Sequence, residues 1–134
     1  MNKIKLLNLY KREYAVVDVA TVQKEVGPGW GGIIERLIPD LFALGWNGEI
    51  NQVKEKFGTL RFYIGAASDE MWKRVSQAEV ESESVCEECG APGEARPGSW
   101  IKTLCLSCCE NWSEIKRKRD EEWLAKAKAD RQKS

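Results

Sequence analysis

Histidine is absent from the 134 residues of this chain. Its absence excludes Ser-His-Asp and Cys-His catalysis, and it excludes metal sites that need an imidazole ligand. Long apolar runs are absent too, because no stretch reaches the roughly 18 apolar residues of a membrane-spanning helix. The N-terminus lacks the apolar core of a secretion signal. We therefore expect a cytoplasmic protein with no membrane segment, and we expect it not to be an enzyme.

The cysteines carry the strongest pattern in the sequence. Four of the five form two Cys-x-x-Cys pairs, Cys86 with Cys89 and Cys105 with Cys108, and Gly90 follows the first pair, where a metal knuckle needs a positive φ. Two such knuckles can place four thiolates around one tetrahedral Zn²⁺, and a reducing cytosol keeps the thiols free for it. A structural zinc site is the favoured interpretation, with disulfides or an iron–sulfur centre as alternatives. A site of four thiolates leaves no position for a reactive water, which again argues against catalysis.

Charge is balanced over the whole chain but unevenly placed. The formal net charge is zero, yet acidic residues dominate 67–95 and basic residues dominate 102–134. A neutral balance argues against a protein that coats DNA non-specifically, because that affinity comes from many phosphate contacts. The basic run at 116–119 is more typical of a solvated helix face than of a nucleic-acid contact. The odd cysteine, Cys109, is interpreted as a packed thiol, with a substitute ligand or a redox-reactive thiol as alternatives.

The first half of the chain predicts a hairpin and then a helix. Residues 4–19 are rich in β-formers around a polar turn and predict a β-hairpin, with an N-terminal helix as the competing interpretation. The Gly-Pro-Gly at 27–29 is a break, after which apolar residues recur at helical steps over 30–41. Pro39 cannot donate a helical hydrogen bond, so this helix should end or kink near Ile38. Gly45 is the expected C-terminal cap.

Residues 49–65 predict a second hairpin with its turn at Phe57-Gly58. In this register one face of the sheet is mostly apolar, and the opposite face is basic and polar. The paired residues are Val53 with Phe62 and Glu55 with Leu60 on the first face, and Gln52 with Tyr63, Lys54 with Arg61 and Lys56 with Thr59 on the second. A slip of one residue would exchange the two faces.

Two like charges face each other in this hairpin, Lys54 and Arg61. Such a pair is unfavourable unless an acidic neighbour, solvation or an anionic ligand offsets it. In the ligand interpretation, Lys54, Lys56 and Arg61 would contact phosphate, and Tyr63 would stack on a base. These four residues are the candidate ligand-binding site for single-stranded nucleic acid or a nucleotide.

The second half predicts two helices around the metal module. Ser68 is the expected N-cap of a helix that reaches about Val80, and residues 81–84 should form a solvated connector. Residues 90–104 carry the Pro and Gly turns of a zinc ribbon, in which Trp100 should pack on the zinc side or on the main body. Asn111 begins a charged final helix of about 20 residues.

The string from Asn51 to Tyr63 (NQVKEKFGTLRFY), the Cys86–Gly90 knuckle and the Leu104-Cys105 pair resemble a family of small, largely uncharacterised zinc-ribbon proteins of bacteriophages and bacteria. The resemblance covers about residues 29–109, and the hairpin string is its most specific part. It implies a phage or prophage origin and carries no settled activity. Members of that family often end soon after the second knuckle, whereas this chain continues into a long helix.

Together these patterns predict an α+β fold, with a small antiparallel β-hairpin body packed on helices, an embedded four-cysteine zinc ribbon and a long C-terminal helix. The expected units are an α+β body (1–82), the zinc ribbon (83–110) and the charged helix (111–134). The expected function is a non-enzymatic binding protein that docks on and modulates a host macromolecule, such as a defence or nucleic-acid-processing protein. The alternative is a binder of nucleic acid or a nucleotide through the basic face of the 49–65 hairpin.

Overall fold

The structure is a computed structural model, and it describes residues 2–98 and 101–132. The strands are β1 (Ile4–Asn8), β2 (Glu13–Val17), β3 (Glu49–Lys56), β4 (Thr59–Ile64), β5 (Glu94–Arg96) and β6 (Lys102–Leu104). The helices are α1 (Val19–Gln23), α2 (Gly31–Ala43), α3 (Asp69–Ser82), α4 (Leu106–Glu110) and α5 (Trp112–Gln132), and a 3₁₀ turn (Pro28–Trp30) precedes α2. The predicted α+β class and long C-terminal helix are confirmed. Trp100, whose packing was predicted, lies outside the described residues.

Two hairpins combine into one four-stranded sheet of order β2-β1-β3-β4. The N-terminal hairpin is confirmed over the helical alternative, since β1 and β2 pair antiparallel from Ile4 with Val17 to Asn8 with Glu13. β1 and β3 pair in parallel, which the sequence analysis did not predict. A parallel pair needs a long crossover connection, and the segment that holds α1 and α2 supplies it.

The β3–β4 hairpin has the predicted register at every pair from Gln52 with Tyr63 to Lys56 with Thr59. Its turn residues, Phe57 and Gly58, have φ values of 53° and 79°. Positive φ at both positions is the type I′ geometry whose twist suits a two-residue hairpin. The side chain of Glu55 accepts a hydrogen bond from the Gly58 N–H at 2.8 Å, which explains why an acid occupies the apolar face at this point.

The core lies between one face of this sheet and helices α2 and α3. Its fully buried side chains include Trp30, Ile34, Leu37, Leu41, Ile50, Leu60 and Phe62. A bulge between Ile50 and Gln52 shifts the alternation, so that both Ile50 and Val53 point into the core.

Helix α2 continues through Pro39 to Ala43, so the expectation that it ends near Ile38 is wrong. Pro39 and Glu35 are exposed, so water can satisfy the carbonyl that loses its partner. The buried side chains of Ile38 and Leu41 hold the helix in place on either side of the proline. The predicted cap at Gly45 is confirmed, with φ of +95° and a hydrogen bond from its N–H to the Phe42 carbonyl at 3.0 Å.

Helix α3 begins as predicted, because the Ser68 hydroxyl accepts a hydrogen bond from the Met71 N–H. It runs to Ser82, so the expected solvated connector is wrong at its start. Ser82 is fully buried, and its hydroxyl accepts a hydrogen bond from the Leu60 N–H at 2.9 Å. Glu79 accepts one from the Phe62 N–H at 3.1 Å. The two α3 side chains therefore satisfy the outer edge of β4, which would otherwise be free to pair with another strand.

Helix α5 has 21 residues and begins directly after Asn111, close to the prediction. Near its start Trp112 and Ile115 are half-buried. Farther along, Trp123 and Leu124 are 68% and 55% exposed. The distal half of α5 therefore does not pack its apolar side chains on the body.

Candidate metal centre and ligand-binding face

The structure brings together the two Cys-x-x-Cys pairs. The four sulfur atoms of Cys86, Cys89, Cys105 and Cys108 lie within 4.8 Å of one another, and those of Cys89 and Cys105 are 3.6 Å apart. Four sulfurs at about 2.3 Å from one tetrahedral ion are separated by about 3.8 Å, so the cluster fits a single metal ion. All five cysteines are free thiols, and Cys109 is not one of the four clustered sulfurs.

Local backbone structure places each pair of sulfurs. In the first knuckle the Cys86 N–H donates to the Ala91 carbonyl at 2.8 Å, and Gly90 has the expected positive φ, +82°. The second knuckle opens helix α4. Cys105 is the N-cap of this helix, and its sulfur accepts a hydrogen bond from the Cys108 N–H at 3.4 Å. The β5–β6 hairpin between the knuckles brings them face to face.

The pKa values of two of the clustered thiols, Cys86 and Cys108, are shifted in opposite directions. Burial disfavours the Cys86 thiolate, but hydrogen bonds from the backbone N–H groups of Cys105, Cys89 and Glu88 outweigh burial and lower its pKa to about 7. Burial raises the pKa of Cys108, and the neighbouring thiols of Cys105 and Cys89 raise it further. The Cys86 thiol therefore ionises more readily than the Cys108 thiol. A divalent cation at the centre would favour the thiolate form at every ligand.

The first knuckle is bound to the body through the segment at the start of α2. The Gly29 N–H donates to the Glu87 carbonyl at 2.7 Å, and the indole N–H of the buried Trp30 donates to the Val85 carbonyl at 2.9 Å. A Cβ atom on Gly29 would lie 1.9 Å from the Cys86 carbonyl oxygen. In the sequence the Gly-Pro-Gly at 27–29 indicates only a break, and no local pattern predicts its contact with the first knuckle.

A buried carboxylate joins the first knuckle to strand β6, which in turn contacts the β3–β4 hairpin. Glu87 is 2% exposed, and its Oε2 accepts a hydrogen bond from the Thr103 N–H at 2.7 Å, while its Oε1 lies 3.2 Å from Lys102 Nζ. Burial raises the pKa of Glu87, although the Thr103 N–H and the Lys102 charge oppose that rise. The Thr103 hydroxyl donates to the Gly58 carbonyl at 2.6 Å. The β3–β4 turn and the four-cysteine segment are therefore in direct contact.

The basic run at 116–119 is partly neutralised within the chain. Arg117 forms ion pairs with Glu114 and Glu121 on its own helix, and Arg119 pairs with Glu88 beside the metal cluster. These contacts favour a solvated and structural role for the two arginines. Cys109 is half-buried, and it lines a small cavity with Leu104 and Trp112.

The four candidate ligand-binding residues all project from the sheet face opposite the core. Lys54 Nζ lies 5.7 Å from the centre of the Tyr63 ring, whereas Lys56 lies near the Phe57 ring at the turn. The buried Nε of Arg61 has no hydrogen-bond partner. Within the described ranges, none of the three cations forms an ion pair with a carboxylate. The acidic neighbour that could have offset Lys54 and Arg61 is therefore not found there.

Comparisons with protein-family models, with curated proteins and with solved structures found no match. Among the residues that the structure describes, no helix has both the length and the apolar character needed to cross a membrane. What can be said of this chain's function rests on its own geometry.

Proposed function

We propose that this chain is a non-enzymatic binding protein, held in shape by a structural Zn²⁺, that docks on and modulates a host macromolecule. The observation that carries the first half is the cluster of four sulfurs, all within 4.8 Å of one another. Thiolate-only tetrahedral sites favour zinc or iron, and zinc is the usual occupant of paired Cys-x-x-Cys knuckles.

Elemental analysis of purified protein tests the identity and the stoichiometry of the bound metal. The expected result is one zinc per chain and a melting temperature that falls when a strong chelator removes it. Cys89→Ser should lower both the zinc content and the melting temperature, whereas Cys109→Ser should leave the zinc content unchanged. Stoichiometric iron, or a melting curve that ignores the chelator, would contradict the proposal.

A protein is the favoured partner, and α5 supports this choice. Trp123 and Leu124 are 68% and 55% exposed on a helix that leaves the body, and large apolar side chains of this kind anchor protein interfaces. The resemblance to phage zinc-ribbon proteins makes a defence or nucleic-acid-processing protein in the host cytoplasm the expected target.

Affinity capture from a bacterial lysate tests this surface. Trp123→Ala with Leu124→Ala should lose the captured partner. The control is Val80→Ala, which truncates an equally exposed apolar side chain on α3 and should retain the partner. If both variants capture the same proteins as the unaltered chain, α5 is not the docking element.

The second candidate function is binding of nucleic acid or a nucleotide at the β3–β4 hairpin. It is favoured by one specific observation: Lys54, Lys56 and Arg61 carry no carboxylate partner within the described part of the chain.

A further inference from the structure

One face of the four-stranded sheet points away from the core. We call it the outer face, and strand alternation assigns to it the residues that point away from the core: Lys5, Leu7, Tyr14, Val16, Glu49, Asn51, Gln52, Lys54, Lys56, Arg61 and Tyr63. Three of its large side chains are well exposed, Val16 at 64%, Tyr14 at 39% and Tyr63 at 37%. All four strands contribute, so the outer face extends well beyond the hairpin that carries the basic pair.

Positive charge dominates the outer face of a chain whose overall net charge is zero. Four cations stand on it, and Glu49, beside Lys5 at one end, is the acid that alternation places there. Within the described ranges none of these cations forms an ion pair, and the buried Nε of Arg61 has no acceptor. Neighbouring like charges that have no acidic partner are unfavourable unless solvent or an anion offsets them, and a guanidinium binds phosphate through parallel N–H bonds.

Two aromatic rings stand beside these cations. Tyr14 and Tyr63 line the same shallow hollow of about 480 Å³, together with Leu7, Asn51 and Lys54. The Tyr14 hydroxyl donates to Asn51 Oδ1 at 2.5 Å, which fixes the ring on the surface. Exposed rings on a sheet stack with unpaired bases, while adjacent cations follow the phosphates and amide side chains can read base edges.

We propose that the outer face binds single-stranded nucleic acid, with bases on Tyr14 and Tyr63 and phosphates on Lys54, Lys56 and Arg61. This inference rests on the second candidate function and extends it from the hairpin to strands β1 and β2. Single strands are favoured over duplexes because an aromatic ring can stack only on a base that has left its own stack. An acidic peptide would pair with the cations, but its carboxylates would not stack on the two exposed rings.

Fluorescence polarisation of the full chain with short fluorescein-labelled oligothymidine and oligouridine tests the proposal. If about three cations contact phosphates, the logarithm of the association constant should fall with the logarithm of the salt concentration at a slope of about −2. The affinity should then drop about 20-fold between roughly 50 and 200 mM salt. Lys54→Gln with Arg61→Gln should reduce that slope to about −0.7. The matched control, Lys118→Gln with Lys128→Gln, removes the same charge from α5 and should leave the slope unchanged.

The stacking role has its own variants. Tyr63→Ala should weaken binding about tenfold, and Tyr63→Phe should restore it because the ring is kept. Melting temperatures should match the unaltered chain, and if Arg61→Gln fails to fold, Lys54→Gln alone tests the charge.

A DNA duplex of the same length and a labelled polyglutamate peptide serve as competing probes. Four results would overturn the proposal: no binding at the lowest salt, affinity unchanged by Tyr63→Ala, tighter binding to the duplex, or equal affinity for the polyglutamate peptide. Each leaves the docking role of α5 intact, since that role is tested separately through Trp123.

Discussion

Replacing Gly29 by alanine tests how closely the metal knuckle is joined to the core. The added Cβ would lie 1.9 Å from the Cys86 carbonyl oxygen and 2.6 Å from the Gly90 nitrogen, and both are backbone atoms. Neither can rotate away, so the two chain segments must separate. The hydrogen bond from the Gly29 N–H to the Glu87 carbonyl, 2.7 Å long, would be lost or stretched as they do.

The expected destabilisation has two parts. Overpacking of a fixed contact costs about 1–3 kcal/mol, and the loss of one backbone hydrogen bond adds about 1 kcal/mol. The free energy of unfolding should therefore fall by about 2–4 kcal/mol, which is a large part of the stability of a typical domain. Because the displaced segment contains Cys86, the variant should also bind zinc less tightly.

Gly32→Ala is the matched control. Its Cβ would meet nothing within 4 Å, and Gly32 lies in the first turn of α2. Alanine is the better helix former there, so stability should rise by about 0.5–1 kcal/mol. Urea unfolding followed by circular dichroism gives both values, and competition with a chromophoric chelator gives the zinc affinity. If Gly29→Ala and Gly32→Ala unfold at the same urea concentration, the inferred close contact is wrong.

Two further predictions concern single side chains. Ser82→Ala leaves the buried Leu60 N–H without its acceptor and should lower the free energy of unfolding by about 1–3 kcal/mol, measured by chemical unfolding. Ser84→Ala, at an exposed position, should lower it by less than about 0.5 kcal/mol. Equal losses in the two variants would contradict the role given to Ser82. The Thr21 hydroxyl and then the Thr21 N–H bond to Asp18 and lower the pKa of this carboxyl in the folded state. Its contribution to stability is therefore present above the pKa of an unfolded aspartate and is lost as pH falls through the lower folded value. Asp18→Asn should remove this loss in acid unfolding curves, and an Asp18 titration by NMR with an ordinary midpoint would refute the assignment.

Much of the fold could be predicted from local signals in the sequence. The β3–β4 register follows from the turn at Phe57-Gly58 and from the alternation around it, and both act over a few residues. The Ser68 cap and the Gly45 cap are local in the same way. Pairing between β1 and β3 is different, because it joins segments separated by a crossover, and no property of Lys5 or Leu6 indicates its distant partner.

Two helical features show where local rules give way to tertiary contacts. Pro39 is unfavourable within a helix, but burial of Ile38 and Leu41 outweighs one lost hydrogen bond. Ser82 belongs to a polar stretch in the sequence, but in the fold its hydroxyl meets an edge of the sheet. Both features depend on contacts with residues that are distant in the sequence.

The metal cluster was predictable from spacing alone, since each Cys-x-x-Cys pair places its own two sulfurs. The surroundings of the cluster were not. Glu87 lies in an acidic stretch of the sequence, and the Thr103 N–H and the Lys102 ammonium that bond its carboxylate come from the other strand of the ribbon. Tyr14 joins the candidate ligand-binding face through Asn51, 37 residues away, and strand alternation in β2 was the one available signal.

The contacts of Gly29, Trp30 and Gly58 with the ribbon bear on how this protein could be divided. Residues 83–110 grafted onto another scaffold would lose the Trp30 indole N–H that donates to the Val85 carbonyl and the Gly29 N–H that donates to the Glu87 carbonyl. They would also lose the Gly58 carbonyl that accepts from the Thr103 hydroxyl. The new scaffold would need a segment equivalent to the Gly-Pro-Gly at 27–29 and a hairpin turn at the position of Phe57-Gly58. Residues 83–110 are thus fitted to the surface of this particular body, and a change to the β3–β4 turn also changes the support of the four cysteines.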